Sequence, residues 1–327
     1  LWDYGDAGDK VEADTRGSCC SLDDVRDARK VAEHLDIPFY VVNLEEAFKR
    51  EVVDYFVDSY LSGETPNPCV KCNEIMKFEI LLRKAMELEA DYLATGHYAR
   101  LVERSDGSLS LCKGLDVDKD QSYFLFTMTK EQREKVLFPL GSLTKDRARE
   151  MAKEMGLRTF AKKDSQEICF IEDDNYGNFI NENFKGKKGE IIYKDGTVVG
   201  THDGVYRYTI GQRKGLNITD GKGPYYVTEL DVKNNKVVVG CDEDLLSSGL
   251  KARGVEFPGG LPKEGDDLTV KIRYRHTGVG AKLKNFSEGT AEVVFEQPQR
   301  AVTPGQAVVF YVCDELIGGG WITEAIK

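Results

Sequence analysis

No apolar run in this chain approaches the length that spans a bilayer, and no secretory signal is visible. The expectation is a protein without a membrane anchor, in a reducing cytoplasm. No internal repeat and no low-complexity segment is present, which sets aside solenoids and disordered tails. Positive charge is in deficit: 45 Lys and Arg stand against 56 Asp and Glu, a net charge of −11. That balance argues against non-specific nucleic-acid binding but leaves room for a local basic face. The eight cysteines (Cys19, Cys20, Cys69, Cys72, Cys112, Cys169, Cys241 and Cys313) are scattered and do not form a disulfide framework. The opening Leu1-Trp2-Asp3-Tyr4 has no initiator Met and looks like the end of a strand running into a loop. The chain is therefore expected to be a fragment whose first element is missing.

What is present is ordinary for a globular protein, with 41% hydrophobic and 31% charged residues over 327 positions. That length suits two or three domains. The acid excess lies mainly in residues 1–171, which hold 25 Lys and Arg against 33 Asp and Glu. Ser21 and Asp24 resemble a capping box before a helix marked by Leu22, Val25, Ala28, Ala32 and Leu35. Phe39-Tyr40-Val41-Val42 reads as a buried strand, 44–61 as a helix, and Tyr92-Leu93-Ala94 as a strand entering Thr95-Gly96-His97. This alternation predicts a parallel α/β sheet with ligands at the carboxyl ends of its strands. A hairpin turning at Asp106-Gly107 and a helix capped by Thr144 follow. Near 172 the pattern changes to short β-rich runs between Asp195-Gly196, Asp203-Gly204 and Asp220-Gly221. After 247 the runs 268–275, 291–295, 307–312 and 315–323 suggest a small β-barrel. The predicted parts are 1–171, 172–246 and 247–327.

The chain is organised around Thr65-Pro66-Asn67-Pro68-Cys69-Val70-Lys71-Cys72-Asn73. Two prolines predict a stiff loop, with Asn73 capping the helix that follows. Cys72 would then sit just before a helix N-terminus, where the dipole favours a thiolate. A CxxC pair can be redox-active, half of a metal site, or simply packed. Cys169 lies 97 residues beyond Cys72, on a segment read as a short apolar strand. Cys112, Cys241 and Cys313 sit in β runs and read as packed thiols. Cys19 and Cys20 could ligate a metal or pack. His97 after Gly96 is a weak signal for a ligand contact. The stretch from Tyr206 to Gly215 interleaves aromatics, cations and glycines, as RNA contacts or a solvated hairpin would. Lys271, Arg273 and Arg275 would share one face of a strand, making a cationic stripe.

Seven motifs in order, TPNPCVKCN, ATGHYAR, GLDVDKDQSYFL, KKDSQEICFI, YTIGQRKGL, IRYRH and the pair TPGQAVVFY/GGGWI, resemble the bacterial tRNA-specific 2-thiouridylases, the MnmA/TrmU family. The resemblance runs over essentially the whole chain. It implies a PP-loop ATP-pyrophosphatase-type α/β domain, a small central tRNA-binding domain and a C-terminal β-barrel. It implies an enzyme that uses ATP and Mg2+ to activate the wobble uridine of tRNAs for Lys, Glu and Gln, then replaces its 2-oxygen with sulfur. By position, Cys169 is similar to the persulfide carrier and Cys72 to its nucleophilic partner. Asn67, Pro68 and Cys69 match the segment touching the target base, and Gly96 resembles an ATP contact. His97, Lys119, Asp120, Gln121, Arg273, Tyr274 and Gln306 match tRNA-contact positions. A cysteine desulfurase or sulfur-relay protein is the implied donor.

Two departures accompany the resemblance. The family's SGGVDSS-like phosphate loop lies upstream of Leu1, so this polypeptide is expected neither to bind ATP nor to turn over. Many members have Asp where Cys69 stands, so Cys69, Cys72 and Cys169 could instead hold a 4Fe-4S cluster. A non-catalytic RNA- or metal-binding protein and an amide-forming ATP pyrophosphatase are the competing classes. The second has no need of two distant cysteines.

Overall fold

Helical spacing is obeyed closely along the first part of the chain. The structure, a computed structural model, describes residues 22–161, 168–171, 176–184, 186–218 and 223–327. A helix covers Leu22–His34. A second runs without a break from Glu45–Phe48 through a wider π-helical stretch, Lys49–Val53, to Asp54–Leu61. Its buried face carries Val52, Val53, Phe56 and Tyr60. A third begins at Pro68–Lys71, widens over Cys72–Leu81 and ends at Leu82–Glu87. This is the cysteine helix. Strand β1 (Leu93–Ala94) follows, and its parallel partner is β4 (Val136–Leu137), with Leu93 opposite Val136.

The predicted buried strand at 39–42 is not there. Residues 37–44 pair with no strand among the described residues, and Ile37, Tyr40 and Val41 are 54%, 79% and 50% exposed. An apolar run becomes a buried strand only when a neighbour satisfies its backbone N–H and C=O groups.

Between the two parallel strands lies a hairpin, β2 (Ala99–Glu103) and β3 (Leu109–Lys113). It turns at Asp106-Gly107, as its sequence predicts. Gly107 has φ +80°, and Asp106 Oδ1 accepts from the Ser108 N–H at 3.0 Å. The helix Lys145–Glu154 is capped by Thr144, whose side chain accepts from the Arg147 N–H. The central part is a four-stranded sheet of β5 (Gly189–Tyr193), β6 (Val198–His202), β7 (Tyr226–Asp231) and β8 (Lys236–Gly240), in the order β6-β5-β8-β7. Ile191, Val227, Val237 and Val239 form its core.

The last part contributes β9 (Leu246–Glu256), β10 (Leu268–Lys271), β11 (Val279–Ser287), β12 (Thr290–Arg300), β13 (Ala307–Val312) and β14 (Glu315–Ile326). They pair in the order β13-β10-β11-β12-β9-β14, and a β13–β14 pairing closes the ring into a barrel. Alternate residues such as Leu250, Val270, Val293 and Phe310 fill its interior. The hairpin continues this sheet: β3 pairs with β14, Leu111 opposite Leu316 and Cys112 opposite Glu315. The seam is a true core. Leu111, Tyr123 and Leu125 pack with Ala307, Val309 and Tyr311, each at most 1% exposed. A fully buried large apolar side chain is worth about 1.5–3 kcal/mol, so this seam outweighs any surface ion pair. No helix among the described residues is long and apolar enough to cross a membrane.

Candidate active site at the cysteine helix

The helix starts earlier than proline chemistry suggests at first sight. Asn67 is the N-cap, and its Oδ1 accepts from the Val70 N–H at 3.4 Å. Pro68 takes the first helical position, where its missing N–H has no intrahelical partner to lose. The cap is therefore Asn67 and not Asn73. Cys69 lies exposed in the first turn, and Cys72 lies half-buried one turn later, inside the helix. The macrodipole acts within the first turn, so it bears on Cys69 more than on Cys72. Cys72 opens the π-helical stretch, a widening that often marks functional positions.

Asn73 has another task. Its Nδ2 donates to the Phe124 carbonyl at 3.2 Å, which turns Oδ1 toward His97 Nε2, also at 3.2 Å. Nδ1 lies 2.8 Å from the Thr95 hydroxyl. The Lys77 ammonium, a donor only, lies 3.3 Å from the same Nε2. Burial first, and Lys77 second, push His97 down to about 3. His97 is a neutral ring locked between the cysteine helix and the end of β1. The preceding Gly96 is exposed, and a Cβ there would meet only Leu140 Cδ1, at 3.7 Å. It leaves room for a ligand to approach the backbone at a strand end.

The Lys119-Asp120-Gln121 loop is occupied internally. Asp120 is buried, and its Oδ1 accepts from the N–H groups of Gly114 and Ser122, both at 3.0 Å. Its Oδ2 accepts from the Ser122 hydroxyl at 3.0 Å, and that hydroxyl meets Tyr311 OH at 3.1 Å. Gln121 Oε1 accepts from the Tyr98 N–H at 3.0 Å. Tyr274 stacks at a tilt on Phe124, with ring centroids 4.5 Å apart. Gln306 Nε2 donates to the carbonyls of Thr65 and Pro66 at 3.0 and 3.2 Å. Beside it opens a pocket of about 230 Å3 where the central part, the barrel and the segment before the cysteine helix meet. Thr65, Thr209, Arg273, Arg300, Thr303 and Gln306 are among its lining.

Cys169 sits in a turn closed by Ile171 N–H to Ile168 O at 3.0 Å, and not on the predicted strand. It packs against a cluster formed by Val52, Phe56, Tyr60, Met76, Phe170 and Tyr206. Cys72 packs against the same cluster. Two thiols 97 residues apart in sequence thus pack against one apolar cluster. Residues 162–167, and Cys19 and Cys20, lie outside the described residues.

Three family models match in succession. One described as "tRNA methyl transferase HUP domain" matches residues 6–173. One described as "tRNA methyl transferase PRC-barrel domain" matches 177–241, and one described as "Aminomethyltransferase beta-barrel domain" matches 247–322. A tRNA-specific 2-thiouridylase MnmA of Geobacter metallireducens is 51% identical over 328 residues, covering 100% of this chain and 89% of the relative. Proteins of the same name from Geotalea uraniireducens and Clostridium perfringens are 49% and 48% identical, covering 100% and 97% of this chain and 87% and 89% of the relatives. The chain belongs to the tRNA-specific 2-thiouridylase family.

Two 2-thiouridylase surfaces read from sequence are built differently. The cationic stripe does not form: β10 ends at Lys271, and Ile272–Arg275 make a turn closed by His276 N–H to Arg273 O. Arg273 is exposed on that turn, its Nη1 donating to the Arg300 carbonyl at 3.2 Å. The Tyr206–Gly215 stretch is no hairpin, and Tyr206 and Tyr208 are core residues at 4% and 8% exposure. Only Arg213, Lys214 and Gly215 face outward there. Among the described residues no three Cys, His, Asp or Glu side chains converge on a metal position. Thr95 and Lys77 escaped sequence reasoning. The i, i+4 spacing of Asn73 and Lys77, which puts both on the His97 side of the helix, was the available signal.

Proposed function

We propose that this chain is a tRNA-specific 2-thiouridylase, replacing O2 of the wobble uridine with sulfur in tRNAs for Lys, Glu and Gln. What supports this reading is that Cys72 and Cys169 both pack against one apolar cluster in a chain 51% identical to a named 2-thiouridylase. ATP, with Mg2+, would supply activation: transfer of its adenylyl group to O2, with release of pyrophosphate, turns a poor leaving group into AMP. Gly96, exposed at the end of β1, suits the nucleotide, and Asn67, Pro68 and Cys69 suit the target base.

Cys169 carries the transferable sulfur as a persulfide, received from a cysteine desulfurase or sulfur-relay protein. The terminal sulfur bonds to C2 and AMP leaves. The Cys72 thiolate then attacks Cys169 Sγ. The sulfur–sulfur bond to the nucleotide breaks, 2-thiouridine is released, and a Cys72–Cys169 disulfide remains for reduction. Its half-buried apolar wall keeps water from the persulfide. Neutral His97 adds no charge beside the site. The cytoplasm, where reduced thiols and tRNA coexist, is the compartment this chemistry needs.

The test is single-turnover thiolation by the full-length protein, as wild type, Cys169→Ser and Cys72→Ser, alongside mass analysis of the Cys169 peptide. Both variants should lose thiolation and keep tRNA affinity. The wild-type Cys169 peptide should gain one sulfur atom after incubation with a desulfurase and cysteine. Full activity of Cys169→Ser, or stoichiometric iron in anaerobically purified active protein, would overturn the persulfide reading.

A further inference from the structure

The residues just before the cysteine helix are held chiefly by the barrel. Pro66 and Pro68 have no N–H, so this segment is poor in donors for a local turn. The donors come from 240 residues away: Gln306 gives both N–H groups of its amide, one to Thr65 O and one to Pro66 O. In return the Thr65 N–H donates to Pro304 O at 2.8 Å. Arg253 Nη2 reaches both oxygens of Glu64, at 3.0 and 2.9 Å. The turn can close this tightly only because residue 305 is glycine. Its φ is +87°, and a Cβ would fall 2.8 Å from both Glu64 Cβ and the Thr65 nitrogen.

The contacts end where the helix begins. Thr65 and Pro66 immediately precede the N-cap Asn67, and Cys69 and Cys72 occupy the next two turns. Fixing two successive carbonyls before a cap fixes the direction in which the helix leaves it. On the other side, Trp321 of β14 and Tyr55 both lie 5.7 Å from the Lys71 ammonium, within cation–π range. Arg253 is 58% exposed, so its ion pair is the weaker element, and the Gln306 and Pro304 bonds carry most of the constraint.

We infer that the 303–306 turn of the barrel is a positioning device for the cysteine helix, with Gln306 its principal residue and Arg253 its auxiliary. Gln306 thus acts through the Thr65 and Pro66 carbonyls. The catalytic consequence rests on the thiolation reading; the mechanical one does not.

Alkylation of Cys72 relative to exposed Cys69, read by peptide mapping, reports the helix directly. Gln306→Glu sets a carboxylate against two carbonyls, and Gln306→Ala removes the donors if the first variant folds poorly. Either should raise Cys72 alkylation about fivefold, with Cys69 and tRNA Kd changing less than about twofold, as a local opening requires. Thiolation at saturating tRNA should fall about tenfold or more, the loss that follows misplacement of a reacting group. Arg253→Glu should act in the same direction more weakly, and the double variant with Glu64→Arg should restore the ratio. Unchanged Cys72 alkylation in both Gln306 variants would overturn the inference. So would a tenfold rise in tRNA Kd with thiolation unchanged at saturation, since Gln306 would then serve RNA. If the full-length wild type thiolates no tRNA, the functional reading fails while the alkylation ratio still decides the positioning role.

Discussion

Replacing Asp120 with alanine should destabilise the protein without weakening tRNA binding by the folded form. The carboxylate accepts three hydrogen bonds in a buried position, from Gly114 N–H, Ser122 N–H and Ser122 Oγ–H. In Asp120→Ala the Ser122 hydroxyl can turn to Tyr311 OH, but the two backbone N–H groups are left without acceptors. A buried orphaned donor costs about 1–3 kcal/mol, so the loss is about 4 kcal/mol. With about 2–4 °C of midpoint per kcal/mol for large domains, the thermal midpoint should drop by about 8 °C or more. Asp120→Asn keeps one oxygen that can accept from both N–H groups, and the hydroxyl can accept from the new amide. Its loss should be about 1 kcal/mol. The assay pairs thermal scans of the three proteins with tRNA filter binding well below the lowest midpoint. A wild-type midpoint for Asp120→Ala together with impaired tRNA binding would show that Asp120 meets RNA directly and that its internal bonds count for little.

His97 should make stability pH-dependent. Burial and Lys77 hold it at about 3, whereas an unfolded histidine titrates near about 6.5. Between those values the unfolded chain binds the extra proton. This contribution is complete above about pH 6.5 and is lost as pH falls toward about 3, at up to about 1.4 kcal/mol per pH unit. Burial also lowers His202 and His276, which add the same sign. Urea midpoints from pH 7 to pH 4 should fall less steeply in His97→Asn than in the wild type; parallel slopes would refute the assignment. Asn67→Ala removes the helix cap and should cost about 1 kcal/mol, while Asn67→Asp should behave nearly as wild type because aspartate caps equally well. Equal loss in both would show that the amide matters for something other than capping.

Local chemistry was readable, and long-range pairing was not. The Thr144 cap, the Asp106-Gly107 turn and the 44–61 helix depend on neighbours in sequence, and each appears where expected. Residues 39–42 had the composition of a strand, but composition does not supply a partner. Pro68 misled because proline obstructs a helix interior and suits its first position; only the cap geometry separates the two. Tyr206 and Tyr208 looked like stacking platforms, but the central core and the wall beneath Cys169 absorbed them. Of the positions matched to the target base and to tRNA, Asp120, Gln121 and Gln306 proved to have internal partners. A motif records that a residue type is required without saying which atom requires it.

The β3–β14 pairing ties the order of synthesis to the moment of completion. Leu111 leaves the ribosome roughly two hundred residues before its partner Leu316. Until then the hairpin waits with an open edge, and Tyr123 and Leu125 wait for Ala307, Val309 and Tyr311 to cover them. The cysteine helix, whose Val70, Phe78 and Leu82 pack in the same core, therefore reaches its final setting among the last events of translation. A chain stopped before the barrel would carry both cysteines and the cluster they pack on, without the strands that complete the helix's other face.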